Sequence, residues 1–375
     1  MPASAIVALV EQIAGGLLLL LLLLDVFMTV LYARIGSGIV SRRLAKVVWW
    51  VFRQVAQRTN PRGGVLRFCG PAILVLLVVV WSMMLACGTA LIIQPRLGEG
   101  VRASAGKTPT DFISALYAGA NSVAIVGTAG FEPVTRWFRI LFVFDSLAGL
   151  SILSLTLTYI MQIYTVLQRR NSLALNFYLL TNRTADAAVM IAGLGPEGQF
   201  QSGYTILASL ASESAAVKES HHFYPVLFYF RFEQPFYSVS SYTLLALDAI
   251  SLIDSALNEK EYGWIKRSAA IVQLRQASLI LVEKLEEAFL RVGKPEPVPP
   301  DAETSERWRL RYRAGLRRLR EAGIATAEDE EAGAEAYVRL RTEWDNPIRT
   351  LAPFMLHSME EIDPVGSHPE RPWRS

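Results

Sequence analysis

Besides Glu11, which is expected near the outer interface, two carboxylates stand inside long apolar runs, Asp25 and Asp145. An ionisable group at membrane depth is costly, so it serves either a cavity or a bond to a partner helix. Asp145 is the candidate for a cavity or gate, the alternative being a hydrogen bond to Ser82 or a neighbouring helix. Asp25 is expected to make a polar contact with another helix. A third feature needs no charged side chain. Ile125, Val126, Gly127, Thr128, Ala129 and Gly130 form a glycine-containing stretch within apolar sequence. Backbone carbonyls in such a stretch can replace the hydration shell of a cation.

Other candidate chemistry is weaker. His221-His222 has only Glu219 nearby, and a surface or interface pair is favoured over a metal site. Gly193, Gly195 and Gly198 match G-x-G-x-x-G, but a lone match is a weak sign of nucleotide binding. The same residues can end a helix capped by Thr184, with Gly193 as its C-cap. Cys69 and Cys87 lie too far apart along one helix to bridge. No nucleophile–base or paired-carboxylate pattern occurs, so no catalytic residue, no enzyme activity and no cofactor are expected. The metal expectation is limited to permeant monovalent cations.

The elements that must position these residues follow from composition. Apolar residues make up 52% of the 375 and charged residues 19%, against ~25% charged in soluble domains. Net charge is +3, which argues against nucleic-acid binding. The apolar excess sits in the first part of the chain. Ala5 to Ala33 is long enough to cross a bilayer and has no cleavage site after it, so it is expected to be retained. Arg34 to Arg67 holds eight basic residues and no acid, which marks it as cytoplasmic. Within it, Val40 to Gln57 is an amphipathic helix with Leu44, Val47, Val48, Val51 and Val55 on one face, suited to the inner membrane surface. Trp49 and Trp50 fit the headgroup level. Pro71 to Ile93 is a second crossing. Trp137 to Leu167 is a third, ending in the basic Gln168-Arg169-Arg170. Three crossings put the N-terminus outside.

Between the second and third crossings lies Thr108 to Pro133. Thr108 is a plausible N-cap, Pro109 suits the first helical position and Asp111 favours a helix N-terminus. A helix from Pro109 to about Ser122 is too short to span. Both flanking crossings require the segment to begin and end outside, so it is expected to enter and return. Irregular backbone at that depth must line an aqueous path or be buried in protein.

Residues 70–170 resemble the pore module of the two-transmembrane, pore-loop potassium channel superfamily. Ala115-Leu116-Tyr117 matches the pore-helix pattern ahead of the filter, Val126-Gly127 matches the filter's Val-Gly pair, and Pro133-Val134-Thr135-Arg136-Trp137-Phe138-Arg139 matches the run that follows the filter. Gly149 stands at the spacing of the family's gating hinge. The resemblance implies a filter over Ile125–Gly130 and a homotetramer around one axis. It departs from the family in the filter: Ile125, Thr128, Ala129 and Gly130 stand where the family has Thr, Tyr, Gly and Asp. The reading is a potassium or weakly selective monovalent-cation channel, the alternative a non-conducting receptor or scaffold on the same fold.

The expected fold class is an all-α membrane protein: three transmembrane helices plus a re-entrant pore helix and filter, then a mainly helical cytoplasmic domain. The expected segments are an N-terminal helix (1–33), a basic interfacial segment (34–69), the pore module (70–170), a helical cytoplasmic domain (171–293), and a Pro-rich linker with charged helices and tail (294–375). In the cytoplasmic half, Phe236 to Leu257 is expected to be a soluble-core helix, because Asp248 and Asp254 interrupt it. Glu261 to Val292 is one long amphipathic helix, Thr304 to Ala322 a basic one, and an acidic one starts at Glu328 to Glu331. Lys294 to Pro300 is a stiff linker. The stretch with Pro364, Pro369 and Pro372 is a mobile tail. Membrane lipid, further copies of the chain and a cytoplasmic ligand or regulator are the expected partners. The expected location is the plasma or inner membrane.

Overall fold

A computed structural model describes residues 3–32, 38–59, 64–123, 130–289 and 299–364. The chain divides into two compact units. The first holds residues 1–52 and 69–164, the second 53–68 and 165–375.

In the first unit, α1 (Ala3–Val26) closes with a wider helical turn at Phe27–Leu31. α2 (Ile39–Thr59) starts in this unit and ends in the other. α3 (Cys69–Ile93) packs along α1. The approach is close because of glycine: a Cβ on Gly15 would lie 2.5 Å from the carbonyl oxygen of Gly88. Small residues are the usual means of bringing backbones together where lipid gives no hydrophobic drive. α1, α3 and α5 (Arg136–Leu180) are long and apolar enough to cross a membrane. The most apolar stretch of α5 is only 22% buried. A water-soluble fold does not leave that much apolar helix uncovered.

Between α3 and α5 come β1 (Val101–Ala103), α4 (Phe112–Val123) and β2 (Phe131–Pro133). β1 and β2 pair antiparallel, with Val101 opposite Pro133 and Ala103 opposite Phe131. The pairing makes residues 104–130 a loop whose two ends meet. α4 begins at Phe112, not at Pro109. Thr108 is taken up elsewhere, its hydroxyl accepting from the Ala103 backbone N–H at 3.1 Å. Asp111 caps the helix instead, accepting from the Ser114 N–H at 3.0 Å.

The apolar face expected for α2 is only partly the buried one. Ala45, Val48, Trp49 and Ala56 are buried, while Val47, Trp50, Val51 and Val55 are exposed. The helix is apolar on two sides, and a single-face reading merged them.

Among its described residues the second unit is built of helices joined by short connections. α5 enters it unbroken past Arg170, so the expected boundary at 170/171 falls inside a helix. After it come α6 (Ala187–Leu194), α7 (Gln201–Phe223), α8 (Val239–Ala256), α9 (Glu259–Lys266) and α10 (Ala269–Phe289). Then come α11 (Ala302–Glu321), α12 (Glu330–Thr342), α13 (Asp345–Phe354) and α14 (Met359–Ile362). α8 also has the length and composition of a membrane span, but 94% of it is buried inside the protein. It is the centre of the unit, covered by α6, α10, α11, α12 and α13. The helix expected over Glu261 to Val292 is two helices, broken at Arg267-Ser268, where the Ser268 hydroxyl accepts from the Ile271 N–H. The Lys294 to Pro300 linker and the tail beyond Pro364 lie mostly outside the described residues.

Candidate functional site

The C-terminal half of α4 is closely packed against α3 and α5. Ala115 and Ala118 are fully buried in a core with Ala90, Ile93, Val101 and Phe131. Gly119 lies against α3, where a Cβ would stand 2.8 Å from the Ala86 carbonyl oxygen. Gly149 does the same from α5, a Cβ there lying 2.7 Å from the Val123 carbonyl oxygen. α4 is thus wedged between two long helices that reach its backbone through glycines. Gly149 sits within a continuous stretch of α5.

Asp145 is fully buried at this junction. Its carboxylate accepts from the Ser122 hydroxyl at 3.1 Å, and Thr89 of α3 interacts with the same group. Ser122 also donates to the Gly119 carbonyl at 2.7 Å, and Ser146 donates to the Ser122 carbonyl at 2.7 Å. Helices α4 and α5 are therefore joined by side-chain bonds at the last turn of α4. Within the chain Asp145 is covered on every side, with Ser122, not Ser82, as its hydrogen-bond partner.

Ile125, Val126, Gly127, Thr128 and Ala129 lie outside the described residues. Gly130 is described, with φ at +95°, a conformation glycine takes without strain. Its carbonyl accepts from the Ser104 N–H at 2.9 Å, extending the β1–β2 pairing toward the loop. Tyr117 packs edge-on against Phe131, bracing α4 on the returning strand.

Asp25 has a different task. Its side chain accepts from the Val40 N–H at 2.7 Å and the Ser41 N–H at 3.2 Å, both at the start of α2, and from the Trp81 indole N–H at 2.9 Å. Thr29 donates to the Ser41 hydroxyl and accepts from the Gly38 N–H. A Cβ on Gly38 would collide with the Asp25 carboxylate, so a residue without one sits there. Asp25 caps α2 and ties α1 to α3. The sequence marked Asp25 as a helix contact. Its role as a cap for α2 went unseen, because the signal is the Ser41 and Gly38 pattern beyond the turn.

In the second unit the glycine motif lacks the strand–loop–helix setting of a dinucleotide-binding loop. No strand precedes it; the only described strands are β1 and β2. α6 runs into it and includes Gly193, with Asp186 as N-cap in place of Thr184 and Gly195 as C-cap in place of Gly193. The glycines make room: a Cβ on Gly195 would strike the Phe200 ring, and one on Gly198 the Tyr262 hydroxyl. His221 is not a surface residue. It is buried against Phe228, and its Nδ1 donates to the Val217 carbonyl. Burial, with the Arg170 charge nearby, pushes its pKa down to about 3. Among the described residues no cluster of His, Cys, Asp and Glu fits a metal ion.

Sequence reading also missed a buried ionic network around Asp248. Arg341 donates to Asp248 at 2.8 Å, to Asp345 at 3.0 Å and to Asp363 at 2.7 Å. Arg311 donates to Asp248 at 2.6 Å and also pairs with Asp363. Tyr337 donates to Asp248. Burial alone would lower the pKa of Arg311, but the carboxylates of Asp248 and Asp363 hold it above the usual arginine range. These charges meet across α8, α11, α12, α13 and the end of α14.

Comparison with known proteins supports a membrane protein. The chain is 20% identical over 293 residues to an uncharacterized membrane protein, YdjJ, of Bacillus subtilis strain 168, covering 77% of this chain and 82% of that one. No family model and no solved structure matches.

Proposed function

We propose that the chain is one subunit of a homotetrameric monovalent-cation channel, with residues 125–130 as its filter and the second unit regulating it from the cytoplasm. The observation that carries this reading is the β1–β2 pairing around α4. At 12 residues α4 is ~18 Å long, shorter than the ~30 Å hydrocarbon core. A short helix that enters and a chain that returns to the starting end are parts a pore loop needs. The wedging of α4 by Gly119, Gly149 and Asp145 supports a rigid mount for such a loop. One loop per chain cannot surround an ion, so four copies around an axis complete the site. The N-terminus is outside and the basic segment after α1 inside.

The test is ion flux from liposomes holding the purified protein. Potassium, sodium and rubidium should all pass, with weak discrimination. Ile125 supplies no hydroxyl, and Ala129 stands where the family uses glycine. The combined change Ile125→Thr, Thr128→Tyr, Ala129→Gly and Gly130→Asp should raise the potassium-to-sodium permeability ratio, read as a reversal potential. Strong potassium selectivity in the wild type would mean that Gly130 serves as the second filter glycine. No flux from either form would favour the scaffold reading.

A further inference from the structure

A cavity of about 30 Å³ opens in the second unit, beside the stretch of α5 that carries Arg170. That volume suits roughly two water-sized groups, or one small polyatomic anion. Two guanidiniums, Arg170 and Arg231, line it, with Ser238 and Ser240, and no carboxylate does. Arg170 is 2% exposed. Its two terminal nitrogens donate to the Leu227 and Phe230 carbonyls at 2.9 and 3.1 Å, while its Nε has no partner. Nη1 of Arg231 is likewise buried without a partner. Neither arginine forms an ion pair among the described residues. The acid within electrostatic reach of Arg231 is Glu361, and burial lowers the pKa of the neighbouring His357, so that ring adds no positive charge near neutral pH. The cluster therefore keeps one uncompensated positive charge.

A buried charge without a counter-ion costs several kcal/mol. The cavity wall adds a second source of positive potential. Ser238, Val239 and Ser240 are the N-cap and first two residues of α8. At that position the backbone N–H groups lack helical acceptors and the helix dipole favours an anion. Two orphaned guanidinium donors and a helix N-terminus thus converge on one small space.

We propose that this cavity binds a small oxyanion, with phosphate as the chemical type. The phosphate comes either as the free ion or as the headgroup of an anionic lipid. Its occupant would join the end of α5 to the start of α8. The proposal does not depend on conduction, since it concerns binding alone.

The experiment uses the full chain in detergent, titrated with inorganic phosphate at constant ionic strength set by chloride. Heat of binding and thermal unfolding are both recorded. Saturable binding with a raised Tm is expected, and Arg231→Gln should weaken it at least tenfold. Arg231→Gln is the chief variant because Arg170→Gln removes bonds to two backbone carbonyls and can unfold the unit. Arg307→Gln, an exposed control on α11, should bind like wild type. A second arm replaces phosphate by vesicles of phosphatidylglycerol or of phosphatidylcholine. Stabilisation by phosphatidylglycerol alone, lost in Arg231→Gln, would assign the site to a lipid headgroup. No saturable effect in either arm, or an effect that Arg231→Gln retains in full, overturns the proposal.

Discussion

At the scale of single residues, buried polar groups set the stability of both units. Asp25 satisfies two backbone N–H groups and the Trp81 indole. Asp25→Ala strands all three, and stranded buried donors cost about 1 to 3 kcal/mol each. Trp81→Phe removes one bond and leaves the cap, so it should cost only about 1 kcal/mol. Thermal unfolding in detergent should rank wild type, Trp81→Phe and Asp25→Ala in that order; a reversed order would show that the indole bond, not the cap, matters most. Arg341 is the corresponding residue of the second unit. Arg341→Leu leaves Asp248, Asp345 and Asp363 with excess negative charge and should cost roughly 3 to 5 kcal/mol. His221 adds a pH dependence. Its folded pKa, about 3, lies below the ~6.5 of a free histidine. Below pH ~6.5 the unfolded chain takes a proton that the folded chain refuses. The stabilisation is therefore full above that pH and falls, as pH drops toward 3, by about 1.4 kcal/mol per unit. Between pH 6.5 and 5 the wild type should lose ~2 kcal/mol more than His221→Phe does. Parallel acid limbs for the two proteins would mean that the ring gains its proton while still folded.

At the scale of elements, the short helix α4 and its two paired strands decide the topology. If β1 and β2 lie on one face of the membrane, Arg102→Cys and Glu132→Cys should react with an impermeant thiol reagent from the same side. Arg43→Cys should react only from the other. These substitutions belong in a chain whose own Cys69 and Cys87 are replaced by alanine. Labelling of positions 102 and 132 from opposite faces would turn the loop into a crossing. The elements themselves were legible where one-dimensional signals suffice. The three apolar runs and the acids within α8 point the right way, while most of the stretch from Gly119 to Gly130 beyond α4 lies outside the described residues. What escaped is what depends on distant partners. Thr108 looks like a cap by its position, but the β1 backbone claims its hydroxyl and Asp111 takes the role. Asp248 looked like an interruption, and its partners Arg311 and Arg341 lie 63 and 93 residues away. No local pattern pairs residues over such separations. The candidate filter was legible only through its glycines and its resemblance, since carbonyl ligands carry no side-chain signature.

At the scale of the whole molecule, the uncovered apolar surface asks for a solvent and for neighbours. Along α5, Trp137, Val143, Leu147, Leu157 and Met161 are all exposed. Lipid can cover such residues as well as protein can, so exposure alone does not count subunits. The proposed channel does: a single chain supplies one such loop, and a desolvated cation needs ligands on all sides. Four copies should therefore persist when the protein leaves the membrane in mild detergent, and native mass spectrometry should give four times the 41.6 kDa chain. Gly149→Leu probes whether that assembly depends on the α4 mount. Its side chain would meet the Val123 backbone rather than a neighbour's surface. Overpacking there should cost about 1 to 3 kcal/mol and displace α4. The expected result is a tetramer of normal mass with lower thermal stability and impaired ion flux. A variant that instead falls to monomers would move the glycine from the subunit's interior to the contact between subunits, and a wild type that is monomeric under the same conditions would remove the ring on which conduction rests.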